Sequence, residues 1–337
     1  MKSNLPREID NIAPDASLTG RRCWIISDGV AGHMAITRGV AETLGLAIDV
    51  KLVAPRAPWR HLAPLGPADP GQLKALLAEP LPDIVLGAGR QTVPFVRALK
   101  RAGAFTVLFQ SPRASLSSAH VIWAPTHDGL QGSNVISTLT PPHRFTPQTL
   151  DALRREVPPA IAALPSPKVA LLIGGPGAGY RYSPHTIRIF GELAREVAAM
   201  AGSLLISPSR RTPADLLAAV DEETREVPRI LLRSDGPNLY PYFLASADFF
   251  IVTADSVNMT GEACATGNPV YVFSPPGGRG KFVRFHEALT EYGATRPLPA
   301  PMQALEAWNY EPLASAEQVA AEIEARWRIF RSTTPSP

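Results

Sequence analysis

Phe249-Phe250-Ile251-Val252-Thr253-Ala254-Asp255-Ser256-Val257-Asn258-Met259-Thr260-Gly261-Glu262-Ala263-Cys264-Ala265-Thr266-Gly267-Asn268-Pro269-Val270 carries a strand, a turn, a helix and the start of a second strand. Phe249 to Val252 is a short, unbroken apolar run, as expected for a strand buried on both faces. Val257 to Thr266 reads as a helix, and Gly267-Asn268-Pro269 stops it before the apolar run Val270 to Phe273. A strand, a helix and a strand in this order predict two parallel strands with a crossover helix between them.

The same alternation extends in both directions. Val169 to Ile173, Ser203 to Ile206 and Ile230 to Leu232 read as strands, with Pro184 to Met200 and Pro213 to Val220 as helices. Nearer the start, Arg22 to Ile26, Ile48 to Val53, Ile84 to Leu86 and Thr106 to Phe109 read as strands, and His120 to Trp123 and Val135 to Leu139 complete that set. Ile36 to Leu44, Gly71 to Leu77 and Thr92 to Ala102 supply its helices. Pro141-Pro142 and the Pro-rich run Pro158 to Pro167 interrupt the pattern, so the domain boundary is expected there. The expected division is a flexible start at 1–20, a first domain at 21–145, a linker at 146–167, a second domain at 168–312 and a helix within 313–337 that packs back on the fold. The fold class is α/β: two Rossmann-like, doubly wound domains facing across a cleft, with ligands expected outside the carboxyl ends of the strands.

Composition agrees with two ordinary cores. The 337 residues exceed what one core usually supports, and 45% hydrophobic with 19% charged residues is typical of a folded chain. The 33 basic residues nearly balance 30 acidic ones, which gives no overall field for nucleic acid or a membrane surface, so any anion site must be local. Cys23 and Cys264 read as buried apolar residues, which suits a reducing, cytoplasmic location. No apolar stretch reaches the roughly 18 residues of a membrane span, so no integral membrane segment is expected.

The turns after the strands hold the candidate chemistry. Asp255 and Ser256 open the helix after Phe249 to Val252; its unpaired N–H groups and partial positive charge suit a phosphate, while both side chains equally suit plain capping. Asn258 joins them in the first helical turn, and Glu262 lies two turns in, where a carboxylate can accept bonds from adjacent ribose hydroxyls or simply face solvent. Gly174-Gly175-Pro176-Gly177-Ala178-Gly179 permits positive φ and close ligand approach at Gly175 and Gly177, with Arg181 in reach of a phosphate; a tight turn without ligand is the alternative. Ser183 and Pro184 then start a helix. Ser209 and Arg210, in Ser207-Pro208-Ser209-Arg210-Arg211-Thr212-Pro213, are phosphate candidates or part of a solvated basic corner. The spacing argues against a dinucleotide oxidoreductase, because Tyr180 stands where the G-x-G-x-x-G pattern needs a third small residue.

The run Thr253 to Val270 resembles the donor-site segment of GT-B glycosyltransferases, and from about Trp24 to Leu298 the chain is similar to the mitochondrial fission (elongate-mitochondria, ELM-type) family. The GT-B resemblance implies a nucleotide sugar or nucleoside diphosphate as ligand, no further cofactor and no metal. Asn238 and Tyr240 would then sit near the base. Ser27-Asp28-Gly29-Val30-Ala31-Gly32-His33 resembles an acceptor-side loop, matching best at Gly32-His33, and His33 or Asp28 would take the acceptor proton. Arg90 and Arg113, at two further strand ends, would face the donor phosphates. The implied activity is metal-independent glycosyl transfer. Nucleotide-sugar epimerisation shares the architecture, and the family resemblance also allows a non-catalytic adaptor with a protein partner.

Overall fold

The computed structural model describes residues 17–233 and 235–333, which fall into two compact units. Unit 1 runs up to Ala124 and adds Leu130–Ser137 and the chain from Ala316; unit 2 is Pro125–Gly129 with Thr138–Ser315.

Unit 1 is built on β1 (Arg22–Ser27), β2 (Ala47–Leu52), β3 (Ile84–Ala88), β4 (Phe105–Phe109), β5 (Val121–Pro125) and β6 (Val135–Thr138), in the spatial order β2-β1-β3-β4-β5-β6. β2, β1, β3, β4 and β5 pair in parallel. Strand residues alternate between two cores, as the pleat requires. Cys23, Ile25, Leu86, Val107 and Trp123 pack with Ile36 and Val40 of the helix Ala31–Thr43. Trp24, Ile26, Val85 and Leu108 pack with Phe95, Val96 and Leu99 of the helix Val93–Arg101 on the other face. The helix Ser315–Thr333 buries Val319, Ile323 and Trp327 in the first of these cores. At roughly 1.5–3 kcal/mol for each large apolar side chain, that burial makes the helix part of unit 1.

Unit 2 contains β7 (Lys168–Ile173), β8 (Ser203–Pro208), β9 (Arg229–Leu231), β10 (Phe249–Thr253), β11 (Val270–Phe273) and β12 (Thr295–Pro297), in the order β12-β11-β10-β7-β8-β9 with parallel pairing throughout. Val169, Leu171, Leu204 and Ile251 pack with Phe190 and Val197 of the helix Pro184–Met200, while Ala170, Leu172, Phe250 and Val252 pack with Phe243, Ala263 and Phe285. Ser183 caps the helix as read from the sequence, accepting from the Thr186 N–H.

Three expectations need correction. Residues 146–167 are not a linker: the helices Pro147–Arg155 and Pro159–Ala162 bury Leu150 and Ile161 in unit 2, because each proline occupies a first helical turn, where its missing N–H costs nothing. The boundary lies instead at Thr138 and Ser315. The flexible start at 1–20 falls largely on residues 1–16, outside the described residues, and Leu18 is buried in unit 1. Besides the helices Pro147–Arg155 and Pro159–Ala162, the helices Trp59–Leu62, Tyr240–Ser246 and Gly280–Tyr292 and the strand β12 escaped the sequence reading. Trp59–Leu62 has only four residues, Tyr240–Ser246 is short and contains Pro241, Gly280–Tyr292 is mostly polar, and β12 has only three residues.

Candidate functional site

Each sheet reverses its winding once, and ligands of doubly wound sheets bind outside the strand ends at such a reversal. In unit 2 the reversal lies between β7 and β10, so the loops Gly174–Gly179 and Thr253–Ser256 meet there. In unit 1 it lies between β1 and β3, where the loops after Ser27 and Ala88 meet.

The unit 2 loops are bound to each other by Asp255, whose side chain is fully buried. Its carboxylate accepts from the Gly175 N–H (2.8 Å), the Tyr182 hydroxyl (2.7 Å) and the Arg211 guanidinium (3.0 Å). Burial and the neighbouring Asp255 charge push the Tyr182 phenol up, so Tyr182 stays a donor. Asp255 therefore clamps the two loops together through three of the chain's own donors. The same clamp occupies the Gly175 amide. Neither Gly175 nor Gly177 has positive φ; Ala178 and Gly179 do, at 55° and 91°. A Cβ on Gly175 would overlap the Arg211 carbonyl, and one on Gly177 would overlap the Arg211 guanidinium. Glycine is needed at Gly175, where the obstacle is backbone, whereas at Gly177 the half-exposed Arg211 side chain can move aside. Gly175→Ala should accordingly cost unit 2 about 2–3 kcal/mol, read as a lowered midpoint in urea with unchanged slope; a loss under 0.5 kcal/mol would refute this account of the loop.

The other unit 2 candidates divide into occupied and open groups. Ser256 accepts from the Met259 N–H (3.4 Å) and caps its helix. Ser209 accepts from the Arg211 N–H (3.1 Å) within its own turn, and Asn238 accepts from the Tyr240 N–H (3.3 Å). These three side chains hold backbone. Arg181, Arg210 and Asn258 are exposed, and Ser234 lies outside the described residues. Arg211, which was not among the candidates, is the arginine of this pair that turns inward and binds the Asp255 carboxylate.

Glu262 has the most distinctive surroundings. The Tyr240 hydroxyl donates to its Oε2 at 2.5 Å, and burial raises its carboxyl to about 7, against smaller opposing effects from Tyr240 and Arg144. Burial beside this carboxyl raises the Tyr240 phenol further. The Tyr240 ring packs edge-on against Phe145, which also meets the His143 ring and the Arg144 guanidinium, the latter at 5.2 Å from the ring centre. A second Gly-rich turn also passed unread: Gly277 and Gly278 have φ of 107° and 95°, and this turn is zipped to the β7 loop by Arg279 N–H to Ala178 O (2.8 Å) and Arg181 N–H to Pro276 O (3.0 Å). Gly277-Gly278 before a helix was a usable signal.

At the unit 1 reversal, Asp28 and His33 form a pair. His33 Nδ1 lies 3.0 Å from Asp28 Oδ1, and since a carboxylate only accepts, Nδ1 is the donor, which in the neutral ring leaves the lone pair on Nε2. Asp28 Oδ1 also accepts from the Val30 N–H (3.2 Å). Gly89, with φ of 94°, allows the approach: a Cβ there would come within 2.6 Å of both side chains. The sequence placed Asp28 and His33 in one loop; the carboxylate-imidazole bond required the fold.

Two doubly wound parallel sheets are the architecture of the GT-B fold, and solved structures agree at the level of fold. The UDP-GlcNAc 2-epimerase of Methanocaldococcus jannaschii in complex with UDP-GlcNAc and UDP matches with TM-score 0.52 at 12% identity over 90% of this chain and 99% of that one. The UDP-GlcNAc 2-epimerase of Neisseria meningitidis bound to UDP-GlcNAc matches at 0.51 and 14%, again over 90% and 99%. The spinosyn forosaminyltransferase SpnP matches at 0.51 and 15% over 95% and 96%. The chain belongs to the Mitochondrial fission ELM1 family, whose model matches residues 31–327. It is 31% identical over 282 residues to Mitochondrial fission protein ELM1 of Arabidopsis thaliana, covering 74% of this chain and 66% of that protein. It is 32% identical over 168 residues to an uncharacterized protein of Rickettsia prowazekii, covering 48% of each. The chain thus spans about half to two thirds of the length of these curated relatives. Among the described residues no helix is long and apolar enough to cross a membrane.

Proposed function

We propose that the chain binds a nucleotide sugar and carries out a metal-independent glycosyl transfer in which the Asp28–His33 pair serves as the base. The pair carries the proposal. A carboxylate that fixes an imidazole tautomer leaves the other ring nitrogen ready to take a proton, which is the arrangement general bases use. His33 Nε2 would accept the acceptor hydroxyl's proton as that oxygen bonds the anomeric carbon. The bond from this carbon to the diphosphate oxygen breaks in the same step, with inversion. The charge that develops on the diphosphate would meet the N–H groups that open the helix Val257–Cys264 and the exposed Arg210, so the positive charge needed there is available without a metal. Glu262 would accept from the ribose hydroxyls. Epimerisation of the same class of donor would give a different product and no transfer.

The test is product analysis with a panel of uridine, guanosine and thymidine diphosphate sugars. Transfer, or donor hydrolysis in the absence of acceptor, is expected to fall by about 10²–10⁴ in His33→Asn with donor affinity unchanged. Activity within twofold of the parent would remove His33 from the reaction.

One observation favours the adaptor reading: Asp255 occupies the Gly175 amide and Arg211, two donors that a diphosphate at the unit 2 reversal would use. A protein that turns over no donor, yet needs surface positions to act, would be such an adaptor.

A further inference from the structure

A cavity of about 240 Å³ opens beside the Asp28–His33 pair, lined among others by His33, Gly89, Arg90, Phe109, Gln110 and Arg113. Its lining holds two guanidinium groups and no carboxylate. Asp28 lies beside Gly89 and keeps its negative charge while its Oδ1 accepts from His33 and the Val30 N–H, so it offsets at most one of the two guanidinium charges. Arg90 is steadied by one bond from Nη2 to the His61 carbonyl (2.9 Å), which fixes its direction and leaves its charge. The segment that presents Arg113 is held in an unusual backbone: Gln110 and Arg113 adopt φ of 73° and 49°, the left-handed region that non-glycine residues enter at a cost. The Gln110 N–H donates to the Trp123 carbonyl at 2.7 Å, which ties that conformation to β5. The two guanidinium groups leave the rim of this cavity with a net positive charge, which a bound oxyanion would offset.

We infer that the molecule whose hydroxyl meets His33 carries an oxyanion, a phosphate or a carboxylate, held by Arg113 and Arg90 in this cavity. The inference rests on the reading of His33 as the proton acceptor and narrows the acceptor to an anionic class. The competing source of an oxyanion is the donor's own diphosphate, and the test separates the two.

The full chain is titrated by calorimetry with glycerol 3-phosphate, with glycerol and, separately, with uridine diphosphate. Glycerol 3-phosphate is expected to bind at least tenfold tighter than glycerol. Arg113→Gln and Arg90→Gln should each weaken that binding about tenfold, with melting temperatures unchanged because both side chains are exposed. Glu262→Gln should leave it within twofold. The His33 ring resonances, assigned by their loss in His33→Asn, should shift on addition of glycerol 3-phosphate and not of glycerol. Equal binding of glycerol and glycerol 3-phosphate, or no binding of either at 50 mM, would overturn the inference. So would arginine variants that weaken uridine diphosphate while sparing glycerol 3-phosphate, which would give the cavity to the donor. Failure of uridine diphosphate to bind under any condition bears on the uridine donor alone, and glycerol 3-phosphate still decides this proposal.

Discussion

Asp255→Ala is expected to lower the local stability of unit 2 by about 3 kcal/mol, measured as faster amide exchange in β7 and β10 with little change in unit 1. The side chain is fully buried and receives three donors from residues 80, 73 and 44 positions away in sequence. Its removal leaves the Gly175 N–H and the Tyr182 hydroxyl without an acceptor, and each such buried group costs about 1–3 kcal/mol. The Arg211 end is half-exposed and can be rehydrated, so its loss adds little. Asp255→Asn should cost nearly as much, since its amide NH₂ would have to face one of these donors. A loss below 1 kcal/mol for Asp255→Ala would mean that the loops are held by packing and that Gly175 is available to a ligand after all.

Glu262 is expected to make stability and ligand binding move in opposite directions with pH. Its carboxyl is raised from 4.5 to about 7 in the folded chain, so the folded state holds a proton between those values that the unfolded state has lost. Stability should therefore fall as pH rises from about 4.5 to 7 and level off above. The shift would correspond to roughly 3 kcal/mol in full, and because the residue is only half-buried, about 1–3 kcal/mol is the expected fall. Ribose hydroxyls donate best to the ionised form, so donor affinity should rise through the same window, by up to about tenfold per pH unit below 7. Glu262→Gln keeps an acceptor for Tyr240, and should flatten this contribution to the stability profile while weakening donor binding at pH 8. Donor affinity independent of pH in the parent protein would separate Glu262 from the ligand; an unchanged stability profile in the variant would refute the raised carboxyl.

The sequence by itself determined the alternation of strands and helices, and through it both doubly wound sheets, because apolar runs such as Phe249 to Val252 and helix starts such as Ser183-Pro184 are decided by neighbours a few residues away. It also identified the loops at both winding reversals, where Asp28, His33, Gly175, Asp255 and Ser256 lie, since those loops directly follow recognisable strands. What each of these residues bonds to within the chain was decided only by the tertiary structure. Asp255 and Gly175 looked like phosphate contacts until residues 182 and 211 were brought against them, and Pro158 to Pro167 looked like a linker until Ile161 was seen in the unit 2 core. Glu262 became a carboxyl raised toward neutrality only because the fold buries it, against the opposing hydrogen bond from a tyrosine 22 positions away. The physical reason is common to all of these. Secondary structure follows local periodicity, whereas desolvation and the saturation of a hydrogen-bonding group depend on what the fold brings to it from afar.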